Sequence, residues 1–295
     1  MAYLIITILL TVLLSFIFKW FSIYKVHRLK AIIVNYFTCG FIGFSFSSSS
    51  DLGHLFQQPW LLYAMLLAFI FILGFNILAA SIAIHGVSIT TLMQKMSIVL
   101  SASISLIIYQ ESMGWQKLSG IFIGIAAVIL SGGRSIFTSK KLSDQKYLFL
   151  LPLLVLVVSA FVELGLQYAE ITYLDGDDRH LFNTCLFTSA GILGIIFLIY
   201  QYSKSGSSLQ FRKKDVVGGI FLGIPNYFSI YFLIMSISTG LEGSFVFPVI
   251  NISVLLLSIL GSLIVFSERL ERPQLFGLLL AVISIALISS SLNHG

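Results

Sequence analysis

Two ionisable residues lie well inside apolar stretches of the sequence, where a charge is costly. Lys95 falls in TTLMQKMSIVLS, and Glu163 falls in LLVLVVSAFVELGLQYAE. A charge at the centre of a membrane helix costs about 2.5–3.5 kcal/mol, so such residues are usually paired, hydrated or functional. We expect both side chains to face a cavity and to bind complementary charges on a solute, and the carboxylate could also carry a proton. The alternatives are a structural ion pair, or a Lys95 side chain that extends to the membrane interface.

Amide side chains near these two residues could complete a binding site. Gln167 follows Glu163 by one helical turn and therefore lies on the same helix face. A polar face on a spanning helix must turn from lipid toward protein or water. Gln94 precedes Lys95, and Asn251 takes the place of Gln94 in a repeated stretch of the chain. We therefore predict that these five residues bind substrate in one cavity; the alternative for the amides is hydrogen bonding between helices.

A third candidate region is the stretch GGIFLGIPNYFSIYF. Pro225 removes a backbone donor and interrupts the helix there. Interrupted membrane helices free backbone groups that can bind solutes, so Asn226 and Tyr227 are further candidates for the substrate site. The alternative interpretation is a plain proline kink.

The composition is typical of an all-α membrane protein. Of 295 residues, 58% are hydrophobic and only 10% are charged, against about 25% charged in soluble domains. Mean hydropathy is +1.01. Cys39 and Cys185 are too few for a disulfide framework or a metal site. The sequence predicts ten membrane helices, the first of them spanning and not a cleaved signal, at roughly 3–20, 31–47, 60–84, 88–108, 116–132, 147–168, 181–202, 215–238, 243–266 and 273–291.

A stretch that occurs twice divides these helices into two halves. Residues 86–120 align without a gap on residues 243–277, and Gly120 falls on Gly277. A constant offset near half the chain length indicates a duplicated unit. Because each half holds an odd number of helices, the second would be inverted relative to the first. The predicted division is a first five-helix repeat at 1–138, a linker at 139–146 and a second five-helix repeat at 147–295.

Basic residues are concentrated in alternate loops, with Lys25, Lys140 and Lys213 as representatives. The intervening loops are poor in Lys and Arg and include the charged run Asp175–His180, which we interpret as a solvated loop. By the positive-inside rule the basic loops face the cytoplasm, and both termini lie outside. A charge of +5 spread over such loops reflects topology and does not indicate nucleic-acid binding.

An apolar helix that ends in Glu, followed by a short corner and a glycine, resembles the repeat of the drug/metabolite transporter superfamily, EamA-type branch. Both copies fit, with Glu111 and Gly120 in the first and Glu268 and Gly277 in the second. Pro248 fits the family pattern in the second copy only. The resemblance implies two inverted five-helix bundles around a central cavity, with transport by alternating access. It also implies both termini in the cytoplasm, which the loop charges oppose.

These features predict a secondary transporter of a small polar metabolite, either amino-acid-like or another small charged solute. The alternatives are a lipid or lipid-linked-sugar translocator of the same fold and, less favoured, a membrane enzyme, because Glu163 is the one carboxylate predicted to lie deep. We expect no enzymatic activity, cofactor, metal or nucleic-acid partner. The partners would be a small-molecule substrate and the lipid bilayer, with proton coupling left open. The protein would be a monomer or homodimer in a bacterial inner membrane.

Overall fold

All regular structure in the described part of the chain is helical. The computed structural model describes residues 1–47, 55–85, 90, 93–110, 114–131, 150–176, 178–205, 210–266 and 272–290. Within these residues lie a short 3-10 helix, Leu55–Gln57, and ten longer α-helices. The α-helices are α1 Ala2–Ile23, α2 Arg28–Phe46, α3 Leu61–His85, α4 Ser97–Ile108, α5 Trp115–Ser131, α6 Leu150–Tyr173, α7 Asp178–Ser205, α8 Lys213–Ser238, α9 Gly243–Phe266 and α10 Arg272–Ser290.

Long apolar stretches identify the chain as an integral membrane protein of the α-helical class. By length and composition, six helices of the described residues could cross a membrane: α1, α2, α3, α6, α7 and α8. Shorter apolar helices occur in α4, α5, α9 and α10. Helices suit the bilayer because each satisfies its own backbone hydrogen bonds without water.

The fourth predicted helix, at 88–108, is helical at residues 90, 93–95 and 97–108 of the described part of the chain. Residues 93–95 are helical, but Met96 adopts φ −71° and ψ −5°, and α4 begins only at Ser97. A ψ value near zero departs from the helical value of about −42°, so the helix is interrupted at this point. The predicted corners at Glu111 and Glu268 and the predicted linker at 139–146 lie outside the described residues.

The chain packs into two compact units that differ from the two sequence halves. The first unit contains residues 1–72 and 166–238, and the second contains residues 73–165 and 239–295. Helices α3 and α6 therefore each contribute to both units. The duplicated stretches 86–120 and 243–277 both belong to the second unit. The two compact units are defined by packing. The two sequence repeats, at 1–138 and 147–295, are a different division of the chain and stay a prediction.

In the first unit, α2 and α8 approach closely at two glycines. A Cβ atom at Gly219 would lie 2.5 Å from Val34 Cβ and 2.6 Å from the Ala31 carbonyl oxygen. A Cβ atom at Gly223 would lie 2.6 Å from Thr38 Cβ. Real Cβ atoms almost never come this close, so neither position accepts a larger residue without movement. The Gly-x-x-x-Gly spacing is typical of close helix packing in membranes.

In the second unit, α5 packs against α10 through another close approach. A Cβ atom at Gly120 would lie 2.6 Å from Ile288 Cγ1, and one at Gly124 would lie 2.8 Å from Ser284 Oγ. The Ser284 hydroxyl donates a hydrogen bond of 2.6 Å to the Gly120 carbonyl. The glycine at the end of the first repeated stretch thus serves helix packing.

Candidate functional site

Lys95, Asn251 and Glu163 meet in the second compact unit and form a chain of hydrogen bonds. Lys95 Nζ donates to Asn251 Oδ1 at 3.2 Å. Asn251 Nδ2 donates to Glu163 Oε1 at 2.8 Å. The amide presents its oxygen to the cation and its nitrogen to the carboxylate, which is the arrangement that satisfies both. We call these three residues the polar bridge.

The interruption before α4 contributes to the polar bridge. Because the new helix starts at Ser97, its first turn lies beside the carboxylate, and Ser97 Oγ donates to Glu163 Oε1 at 3.2 Å. The N-terminus of a helix carries a partial positive charge and favours a nearby anion. The same interruption separates the turn that contains Lys95 from α4, whose Ser97 donates to Glu163.

Burial makes the polar bridge costly unless its groups are satisfied. Asn251 is 5% exposed and Ser97 is fully buried, whereas Lys95 and Glu163 are partly accessible. Glu163 Oε1 accepts two hydrogen bonds, but the enclosed Oε2 atom accepts none from the described residues. A buried polar atom without a partner costs about 1–3 kcal/mol. The polar bridge therefore offers one carboxylate oxygen that a ligand could satisfy.

The other predicted site residues divide between the two units. Gln94 lies beside Lys95 in the helical turn at 93–95, and its side chain is partly accessible. Gln167 is buried and belongs to the first unit, although it follows Glu163 on α6. Asn226 and Tyr227 also belong to the first unit. That the first five candidates line one cavity stays a prediction, as does a substrate-binding role for Asn226 and Tyr227.

Asn226 and Tyr227 take part in hydrogen bonds between helices of the first unit. Asn226 Nδ2 donates to Asn35 Oδ1 on α2 at 3.1 Å. Asn183 Nδ2 on α7 donates to the Tyr227 carbonyl at 3.2 Å. The Tyr227 hydroxyl lies 3.3 Å from His180 Nδ1. These contacts join α8 to α2 and α7 on the C-terminal side of Pro225, and they support a packing role for both residues.

Sequence reasoning missed a buried ion pair near the start of α5. Lys117 is 1% exposed, pairs with Glu242 and donates to Ser244 Oγ at 2.9 Å. The pair joins the start of α5 to the start of α9. Each of the two charged residues stands at the edge of a predicted apolar segment, where a charge is expected to be solvated. The pairing carries no local signal, since 125 residues separate the partners.

The charged run at 175–180 also differs from the predicted solvated loop. α7 already begins at Asp178, and the Arg179 guanidinium holds the Glu170 carboxylate with Nε–Oε1 and Nη2–Oε1 distances of 2.9 and 2.5 Å. Arg179 also donates to the carbonyl oxygens of Leu174 and Gly176. Glu170 is 7% exposed and anchors this turn between α6 and α7.

Comparisons with known proteins show the fold and do not identify a family. No protein-family model matches the chain. An uncharacterized protein of Haemophilus influenzae is 24% identical over 217 residues, which cover 72% of this chain and 69% of that protein. A solved crystal structure of a protein superposes with a TM-score of 0.75 at 12% identity, over 98% of this chain and 96% of the other. At this identity the second likeness shows that a known experimental structure shares the fold, and nothing about activity.

Proposed function

We propose that the chain is a secondary transporter of a small zwitterionic or otherwise charged metabolite. The observation that carries the proposal is the polar bridge, which holds an ammonium and a carboxylate on either side of one amide inside an apolar protein. Charged residues are rare within membrane helices and usually mark a pathway for solutes or ions.

The geometry of the polar bridge suits a solute that carries both charges. A substrate carboxylate would accept from Lys95 Nζ in place of the Asn251 oxygen. A substrate ammonium would donate to Glu163 Oε2, which accepts no hydrogen bond from the described residues. Lys95 would then exchange one partner for another and Glu163 would gain one, so neither charge would be left unpaired on binding. Amino-acid-like metabolites have this pair of groups.

We further propose an architecture of ten spanning helices in two inverted five-helix repeats, as in the EamA-type transporters that the sequence resembles. Small residues support it, because they recur at equivalent repeat positions where α5 packs on α10. Gly120 and Gly124 on α5 correspond to Gly277 and Ala281 on α10. Helices related by a pseudo-twofold axis would present such matching faces to each other. Residence in a bacterial inner membrane fits this class and the relative in Haemophilus influenzae.

A ligand screen on the purified protein tests the proposed substrate class. Thermal unfolding would be followed with amino acids, small carboxylates, sugars and nucleosides, since a ligand that binds the folded state raises the melting temperature. We expect zwitterions to stabilise the wild type, and we expect Lys95→Met to abolish that shift.

The matched control is Lys213→Met, which removes an exposed lysine at the start of α8 and should leave the shift intact. Stabilisation by neutral sugars alone, or a zwitterion shift of equal size in Lys95→Met, would refute the proposed substrate class.

A further inference from the structure

One end of the first unit gathers basic side chains from two loops that are far apart in sequence. The α1–α2 loop and the segment before α8 are tied together by donors to backbone oxygens. Arg212 Nη2 donates to the Lys25 carbonyl at 3.2 Å, and Lys214 Nζ donates to the Tyr24 carbonyl at 3.0 Å. The Lys30 ammonium donates to the Gln210 carbonyl at 2.5 Å and lies over the Tyr202 ring. The α1–α2 loop and the start of α8 are therefore in contact, and the basic residues beside them lie at one end of the first unit.

The carboxylate at this end of the unit does not neutralise that surface. Asp215 is fully buried, where it accepts the His27 backbone N–H at 2.8 Å and two guanidinium donors of Arg212 at 2.9 Å each. Partial desolvation and the nearby Lys30 charge lower the pKa of the His27 imidazole from its usual value. Among the described residues at this end of the unit, the Asp215 carboxylate is therefore paired with Arg212.

Three cations at this end have no side-chain partner within the part of the chain that the structure describes. The side chains of Lys25, Arg28 and Lys213 make no hydrogen bond or ion pair with the described residues, and Lys25 and Lys213 are exposed. Together these three residues form what we call the basic face. Their charges stand where the apolar spans of α1, α2 and α8 end or begin, at Phe21, Arg28 and Lys213.

Exposed aromatic residues accompany the basic face at the same level. Trp20 is 42% exposed, Tyr24 is 68% exposed and Phe211 is 37% exposed. Aromatic side chains concentrate at the headgroup level of membranes, where one end is apolar and the other is wet. The positive-inside rule accounts for basic residues in a loop. It does not account for two basic segments that meet beside exposed aromatic residues.

From this convergence we propose that the basic face binds the phosphate headgroup of an anionic phospholipid. Basic pockets beside membrane helices bind such headgroups, and each Lys or Arg near the surface strengthens binding about fivefold. The acyl chains would lie along the apolar surface below, and the exposed aromatic rings would flank the glycerol region. The site is independent of the substrate bound at the polar bridge.

The test compares lipids on the purified full-length protein in detergent. Phosphatidylglycerol and phosphatidylcholine with the same acyl chains would be titrated while thermal unfolding is followed. We expect phosphatidylglycerol to stabilise the wild type at much lower concentration than phosphatidylcholine. The triple variant Lys25→Gln, Arg28→Gln, Lys213→Gln should weaken the apparent affinity for phosphatidylglycerol about a hundredfold. Its melting temperature in phosphatidylcholine should match the wild type, because the three side chains support no described contact.

The charge-conserving triple variant Lys25→Arg, Arg28→Lys, Lys213→Arg is the matched control and should keep the preference. A second measurement needs no variant. Raising the salt concentration from about 0.05 to about 0.5 M should reduce the wild type's preference for phosphatidylglycerol, because the electrostatic screening length falls as ionic strength rises. Soluble glycerol 3-phosphate should not reproduce the stabilisation. Equal responses to the two lipids, an unchanged preference in the Gln triple variant, or full replacement by glycerol 3-phosphate would each overturn the proposal.

Discussion

At the scale of single residues, Asn251 is the group on which the candidate site depends. Its amide serves the Lys95 ammonium and the Glu163 carboxylate at once. Replacing it with Leu removes an acceptor from one charge and a donor from the other. We expect Asn251→Leu to reduce the free energy of unfolding by about 1–3 kcal/mol.

Thermal or denaturant unfolding of the purified protein measures this loss. The variant Asn251→Gln keeps an amide within reach and should lose less stability than the Leu variant. If Leu and Gln proved equally stable and equal to the wild type, the hydrogen bonds of the polar bridge would not contribute to the folded state.

The sequence identified the two deep charges but could not identify all of their partners. Lys95 and Glu163 could be recognised because a charged residue within an apolar segment is evident from the sequence alone. Asn251 was a candidate because the two repeated stretches align it with Gln94. The pair of Lys117 with Glu242 gave no such signal, because residues at the edge of an apolar segment resemble ordinary loop charges. Long-range pairing of that kind is decided by packing.

At the scale of helices, the close approach of α2 and α8 depends on Gly219. A Cβ atom there would lie 2.5 Å from Val34 Cβ, so Gly219→Ala must push the two helices apart. Gly218→Ala is the matched control on the same helix, since its Cβ atom would meet side-chain atoms alone among its nearest neighbours, with Phe21 Cε1 at 3.0 Å, and no backbone atom. Both changes gain the same helix propensity, about 1 kcal/mol, so their difference isolates packing.

We expect Gly219→Ala to be less stable than Gly218→Ala by about 1–3 kcal/mol, as is typical of overpacked sites. The measurement is the melting temperature of each variant in the same detergent. Equal melting temperatures would mean that α2 and α8 can separate without cost, contrary to the close packing described above.

Helix positions followed from composition, whereas the interruption in the fourth helix did not. Apolar segments of spanning length predicted the helices to within a few residues, because the bilayer leaves few alternatives to a helix. The break at Met96 carries no proline or glycine. It places Ser97 at a helix start beside Glu163, and local sequence does not encode that contact.

At the scale of the whole molecule, the loop charges predict the orientation in the membrane. We expect Lys25 to face the cytoplasm and Asp175 to face the other side. In intact bacteria, an impermeant thiol reagent should label Asp175→Cys, and it should label Lys25→Cys only after permeabilisation. The native Cys39 and Cys185 are buried and should give little background. Labelling of Lys25→Cys in intact cells with protection of Asp175→Cys would reverse the assignment and favour the orientation of the EamA-type transporters.

If solute passes through the polar bridge, its passage can be followed by counterflow in proteoliposomes. Vesicles loaded with an unlabelled zwitterion from the ligand screen would be diluted into trace labelled solute, and its uptake would be followed. We expect counterflow by the wild type and at least a tenfold loss in Lys95→Met, equivalent to about 1.4 kcal/mol. Counterflow by Lys95→Met at the wild-type rate would contradict the account and leave Lys95 a structural lysine.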